Sequence, residues 1–305
     1  MVRSIRSVLN RLVAVVAVIA VVGYGAIVWW FSAHERDLIF LPDHEIRTLA
    51  DSLGLHPQQV GIPSSDGTRL VGRIYRGPLP DSLAIWVLYC HGNAGNVTSR
   101  ARFHQSLVAL GVSVLAAEYR GYGSSEGSPN EEGINRDVGQ FYKFARDSLR
   151  VAAANIVIYG FSLGTGPATE LASRVPAGGL VLEAPFTSLP ERGQELYPFL
   201  PVLWMAKTKF ASIDKIDRVT CPKLIIHSAG DRTIPIAHGR RLFERATSPK
   251  MFLEVRGDHD NAYMVDRHIF FGGLKTFLAQ VALSSAQTLR YADAHGVMSP
   301  PMHGD

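Results

Sequence analysis

The apolar run Ile156-Val157-Ile158-Tyr159 leads into Gly160-Phe161-Ser162-Leu163-Gly164, and that in turn into the helix-favouring stretch Gly166-Pro167-Ala168-Thr169-Glu170-Leu171-Ala172. A strand that turns this sharply into a helix restricts the fold severely. The serine at the apex must take a strained backbone conformation, and side chains in place of the flanking glycines would collide with neighbouring backbone. Its hydroxyl is thereby presented rather than packed away. The same pattern recurs at Gly123-Ser124-Ser125-Glu126-Gly127, but Ser128-Pro129-Asn130-Glu131-Glu132 follows, a loop ending in the cap of a later helix. Ser125 is therefore expected to be a loop residue.

A serine hydroxyl is a weak nucleophile until a base takes its proton and an acid orients that base. Downstream, the buried-strand pattern Cys221-Pro222-Lys223-Leu224-Ile225-Ile226-His227 runs into Ser228-Ala229-Gly230-Asp231. The strand-like Met251-Phe252-Leu253-Glu254-Val255 runs into Arg256-Gly257-Asp258-His259-Asp260-Asn261. His259 is the expected base and Asp231 the expected acid, with His91 and Glu183 as the respective alternatives. Backbone donors for an oxyanion are expected from Leu163, at the helix start, and from Asn93 in Cys90-His91-Gly92-Asn93-Ala94-Gly95-Asn96, where Gly92 is the alternative. The acids flanking His259 are consecutive and do not converge on one ion, so no metal or other cofactor is expected.

A hairpin is expected near 60–75 with Asp66-Gly67 in its turn, then strands near 84, 112, 155, 179, 222 and 250 alternating with helices near 98, 131, 163, 236 and 264. This alternation implies an α/β fold, with a mostly parallel sheet covered by helices on both faces and the candidate residues at its C-terminal edge. Between the sixth and seventh of these strands lies an insertion, 189–216, containing Leu196-Tyr197-Pro198-Phe199-Leu200-Pro201-Val202-Leu203-Trp204-Met205.

No charged residue falls within 12–31. As a helix rising ~1.5 Å per residue the stretch is ~30 Å long, the thickness of a bilayer's hydrocarbon core, and it is apolar on every face, unlike a core helix. Arg3, Arg6 and Arg11 precede it, whereas His34-Glu35-Arg36-Asp37 is close to neutral. Residues 1–11 are thus expected in the cytoplasm and the domain beyond the anchor outside it. A cleaved signal peptide is the competing reading. Against it, the apolar stretch exceeds the usual ~7–15 residues, and Trp29-Trp30-Phe31 stands where small cleavage-site residues belong. The domain is expected to occupy 36–283, and the polar tail 284–305 to be disordered. With 305 residues, 47% of them hydrophobic, the chain can bury one large core. Its net charge of +4 comes without the basic, aromatic-interleaved stripe of a nucleic-acid binder. Cys90 and Cys221, on different strands, are expected as buried free thiols.

Together with Leu38-Ile39-Phe40-Leu41-Pro42, Tyr119-Arg120-Gly121-Tyr122-Gly123 and Ala184-Pro185-Phe186-Thr187-Ser188, these segments resemble the α/β-hydrolase superfamily. More narrowly, they resemble membrane-anchored serine hydrolases that include mammalian protein depalmitoylases, lysophosphatidylserine lipases and uncharacterised bacterial relatives. The likeness runs over about 36–280. The chain order Ser162, Asp231, His259 is that of the superfamily and differs from chymotrypsin-like and subtilisin-like orders. Two departures stand out. Relatives usually read Gly-x-His-Asn-Asp where this chain has Gly257-Asp258-His259-Asp260-Asn261, and they often carry aspartate at Glu118, a change expected to alter packing more than chemistry. The resemblance implies an α/β-hydrolase fold and a hydrolase that cleaves carboxylic ester or thioester bonds through an acyl-enzyme, with an acyl substrate and a lipid bilayer as partners. It also implies that the insertion shapes the substrate pocket, which makes Phe199, Leu203 and Trp204, with His91 and Gly92, the expected substrate-binding residues. Packing on the core or contact with the bilayer surface are the alternatives for the insertion. For the whole chain the alternatives are a serine peptidase, whose relatives normally carry a further large domain, and a binding protein on a hydrolase scaffold, which usually lacks a triad residue.

Overall fold

In the computed structural model, which describes residues 2–81 and 83–294, the apolar runs become one eight-stranded sheet. Its strands are β1 (Gln58–Pro63), β2 (Arg69–Tyr75), β3 (Trp86–Cys90), β4 (Ser113–Ala117), β5 (Ile156–Phe161), β6 (Gly179–Glu183), β7 (Lys223–Ser228) and β8 (Lys250–Val255). They lie in the order β8-β7-β6-β5-β3-β4-β2-β1. Strand β2 is antiparallel to β1 and β4, and every other pair is parallel. Strands β3 to β7 are buried along their whole length, which is why they read as continuous apolar runs rather than alternating ones.

Helices cover both faces. Helices α4 (Glu131–Asp147), α5 (Thr165–Ala172) and α8 (Ile236–Arg245) bury Ile134, Phe141, Leu171 and Leu242 against one face. Helices α3 (Ala101–Ala109) and α9 (Arg267–Ala294) bury Phe103, Leu107, Phe270 and Leu274 against the other. Helices α6 (Leu189–Leu196) and α7 (Val202–Met205) form the insertion between β6 and β7. At the N-terminus, α1 (Val2–Ala33) carries an apolar stretch, Leu9–Ala33, that stands clear of the core, and the short α2 (Glu35–Ile39) follows. Directly after α2, Leu41 and Pro42 pair in parallel with Ala94 and Gly95, in the loop that follows β3.

The C-terminal expectation is corrected. Helix α9 does not stop at 283 but continues to Ala294, because Val281 is buried in the core and Ser285, also buried, is hydrogen-bonded to Asn155. A helix already nucleated by packed turns adds polar residues cheaply, and composition alone hides this. The rest of the tail, 295–305, lies outside the described residues.

Candidate active site

Strand β5 ends at Phe161, and a single tight turn, Ser162–Gly164, joins it to α5. Ser162 has φ +51°, a left-handed conformation that a residue with a side chain holds only where its surroundings impose it. The flanking glycines show what imposes it. A Cβ on Gly160 would lie 2.5 Å from the Gly164 carbonyl oxygen, and one on Gly164 would run into the Cys90 carbonyl and lie 2.6 Å from that of His91. The turn is wedged between its own helix and the end of β3.

Ser162 Oγ lies 2.8 Å from His259 Nε2, and His259 Nδ1 lies 2.7 Å from Asp231 Oδ2. The carboxylate accepts the Nδ1–H, which leaves Nε2 to accept the serine proton. Asp231 Oδ1 accepts the N–H groups of Thr233 and Ile234, each at 2.8 Å. Burial pushes the Asp231 carboxyl up, but the imidazoles of His227 and His259 and the Ile234 N–H outweigh it and hold the group well below the usual carboxylate range. Of the two imidazoles His259 is the main partner. His227 Nε2 is 3.5 Å from the carboxylate but 2.8 Å from the Ile234 carbonyl, and its proton goes to the nearer acceptor.

The sequence alternatives are occupied elsewhere. Glu183 accepts from the Tyr159 hydroxyl at 2.8 Å and from Arg100 at 3.2 Å, and that guanidinium also stacks 3.7 Å from the Phe161 ring. His91 stacks on Tyr119 at 4.0 Å, with its Nε2 3.2 Å from Glu118. Ser125 is a buried loop residue whose Oγ accepts the Val71 N–H at 2.9 Å. The exchanged Asp260-Asn261 pair leaves His259 in place: Asn261 Oδ1 accepts the Asp258 N–H at 2.7 Å, and Asp258 pairs with Arg232, also at 2.7 Å. Glu118 serves packing, accepting the Val97 N–H at 3.3 Å.

Ser162 opens onto a pocket of about 270 Å³, bordered also by Asn93 and Leu163. The Asn93 loop is braced from outside: the Tyr122 hydroxyl and the Leu41 N–H donate to the Asn93 carbonyl at 2.8 and 3.0 Å, and the Asn93 side chain donates to the Ile39 carbonyl at 3.2 Å. The pocket is lined by Leu189, Leu196, Leu200 and Met205 of the insertion together with Phe31, Leu38 and Ile39 from the end of α1 and from α2. Glu35 also lines the pocket, with its carboxylate accepting the N–H groups of Lys207 and Thr208 at 3.0 and 2.7 Å.

None of the residues expected to bind substrate, His91, Gly92, Phe199, Leu203 and Trp204, lines this pocket. Gly92 packs against the Phe161 ring behind Ser162, and His91 is buried beside it. Phe199, Leu203 and Trp204 face away, with exposures of 62, 55 and 93%. The reason is helical geometry: in α7, Val202 and Met205 share the face turned to the pocket, which sends Leu203 and Trp204 to the other. The wall contributed by Phe31 and Leu38 was missed, although Leu38-Ile39-Phe40-Leu41-Pro42 stood out as a motif without a role.

Comparisons with known proteins follow the same line. The family profile described as serine aminopeptidase S33 (Hydrolase_4) matches residues 82–214. An uncharacterised protein of Mycobacterium tuberculosis, Rv2307c, is 34% identical over 263 residues, covering 86% of this chain and 93% of its own. A lysophosphatidylserine lipase of Danio rerio, ABHD12, is 34% identical over 184 residues, 54% of this chain and 48% of its own. Among solved structures, the esterase Pf2001 of Pyrococcus furiosus shares the fold with a TM-score of 0.65 at 18% identity, covering 79% of this chain and 98% of that one.

Proposed function

Because the chain belongs to the α/β-hydrolase family, we propose that it is a membrane-anchored serine hydrolase that cleaves acyl ester or thioester bonds through an acyl-enzyme on Ser162. The observation that carries this reading is the unbroken relay from Ser162 through His259 to Asp231, opening onto an apolar pocket. Ser162 Oγ attacks the acyl carbonyl carbon while its proton passes to His259 Nε2, and Asp231 holds the imidazolium that forms. The N–H groups of Leu163 and Asn93 receive the oxyanion, at ~3–4 kcal/mol for each donor. Collapse breaks the bond to the alcohol or thiol, which leaves with the proton from His259. Water, deprotonated by the same imidazole, then releases the acid. The apolar stretch Leu9–Ala33 supports an anchor, and the arginines before it support a catalytic domain outside the cytoplasm.

A peptidase is the second reading, favoured by the description of the matching family profile. An aminopeptidase needs a free carboxylate for the substrate's amino group. Glu35, the carboxylate that lines the pocket among the described residues, is already engaged by Lys207 and Thr208.

The test is fluorophosphonate labelling of the full chain in membranes, with Ser162→Ala beside it. Label on Ser162, lost in a variant of unchanged thermal midpoint, is the expected result; a folded wild type that takes no label overturns the assignment. Cleavage of peptide amides without cleavage of acyl esters would replace the esterase reading by the peptidase one.

A further inference from the structure

Contacts at several heights fix where the insertion lies along α1. The Tyr24 hydroxyl donates to the Phe199 carbonyl at 2.9 Å, the Phe31 ring meets Tyr197 edge-on at 5.2 Å, and Lys207 Nζ donates to the Ser32 carbonyl at 3.4 Å. The insertion therefore leans along the last turns of α1, with Phe199 level with Tyr24. Tyr24 sits two turns before Phe31, so Phe199 lies ~10 Å deeper along α1 than Phe31.

The distribution of charge along the insertion keeps the same register. Leu196 to Ala206 carries no charged residue, and the next residue, Lys207, meets Ser32 and Glu35 where the apolar part of α1 ends. Leu196, Phe199, Leu203 and Trp204 are all exposed, and so are Ile27 and Trp30, on the turns of α1 between Tyr24 and Phe31, which the insertion touches. A patch of this kind marks an interaction surface, and one whose charges begin at the level where an adjoining membrane helix leaves the hydrocarbon matches a bilayer rather than a protein in water.

We propose that this face of the insertion is embedded in the bilayer leaflet that α1 crosses, so that the pocket mouth between α1 and the insertion opens into hydrocarbon and receives the acyl chain of a bilayer-resident ester from the side. The proposal rests on α1 as a membrane span and, for sideways entry, on Ser162 as the nucleophile.

The experiment places a bimane fluorophore on single introduced cysteines of the full-length protein in phosphatidylcholine vesicles. Phe199→Cys tests the proposal, Val18→Cys reports α1, and Arg240→Cys, on the exposed face of α8, reports water; the native Cys90 and Cys221 are buried. Position 199 is expected to be quenched by nitroxide-labelled lipid and shielded from iodide, as position 18 is. Iodide quenching at 199 with 18 shielded overturns the embedding and leaves the anchor standing. Iodide quenching at 18 removes both.

A second arm uses Trp204→Asp and Phe199→Asp. Hydrolysis of a long-chain ester in vesicles is expected to fall about tenfold, because a charge is forced toward hydrocarbon. Hydrolysis of a water-soluble acetate ester should stay within about twofold of wild type. Equal losses on both substrates overturn sideways entry. A wild type silent on both esters removes the Ser162 reading and sideways entry with it, and embedding then stands or falls on the quenching.

Discussion

His259 and His104 are both buried, yet only one of them is satisfied. His259 has Ser162 on one nitrogen and Asp231 on the other, whereas neither nitrogen of His104 has a hydrogen-bond partner among the described residues. The hydroxyls of Tyr75 and Tyr89, whose rings pack on His104, are equally bare. Burial, aided by the charges of Arg100 and His91, pulls the His104 imidazole down to about 3, so it stays neutral in the fold. The unfolded chain takes up that proton near pH ~6.5. Between these values the unfolded state holds the extra proton, and stability is lost as pH falls, by up to ~1.4 kcal/mol per pH unit. Bare buried polar groups also cost ~1–3 kcal/mol each. His104→Leu is therefore expected to match or exceed the thermal midpoint of the parent near pH ~7, with an advantage that widens as pH is lowered to ~4.5. Melting curves in detergent across that range decide it. An advantage that stays constant with pH would mean that His104 is not held neutral.

At the scale of elements, β5, the Ser162 turn and α5 act as one wedge against the end of β3. Every residue of α5 is buried, so the helix cannot swing away to relieve a clash. Gly164→Ala would drive a methyl group between the turn and the carbonyls of Cys90 and His91, separating Ser162 from the loop that carries Asn93. The expected result is a loss of ~1–3 kcal/mol of stability from overpacking. Labelling by a fluorophosphonate should fall about a hundredfold, since ~1 Å of misplacement is enough for that. Gly139→Ala on α4, where the new methyl meets open space, should gain ~0.5–1 kcal/mol and label normally. Normal labelling of Gly164→Ala would show that the turn has slack. This wedge was readable in the sequence because its constraint is local: a strand, two glycines and a serine within a few residues. The continuous apolar runs of β3 to β7 were readable for the same reason. The insertion was not. Leu200 and Met205 face the pocket while Phe199 and Trp204, their neighbours in one uncharged stretch, face away, and only packing against α1 decides which is which. Nothing in the sequence links Tyr24 to Phe199, 175 positions later. The end of α9 was hidden likewise, because the contact of Ser285 with Asn155 spans 130 positions.

For the molecule as a whole, α1 and the candidate site are not separable modules. Phe31 lines the pocket, and Leu41 and Pro42, just beyond α2, pair with the loop that carries Asn93. With α1 as the proposed membrane span, its orientation therefore fixes which side of the membrane the candidate site faces. The arginines at 3, 6 and 11 precede α1's apolar stretch, and the segment after it is nearly neutral, so the charge bias rests on those residues. An impermeant thiol reagent applied to sealed cells carrying Arg240→Cys should label the protein almost completely, since position 240 lies on the exposed side of α8. Replacing Arg3, Arg6 and Arg11 together by serine should cut external labelling to about half or less, because the Lys/Arg excess then lies beyond the helix, at Arg36 and Arg47. Unchanged labelling in that variant would mean that the folded domain sets orientation, and no external label on the parent would place the domain in the cytoplasm. Under the sideways entry proposed above, the same result also assigns the leaflet that supplies the substrate: the one facing away from the cytoplasm in the parent, and the inner one in every molecule that inverts.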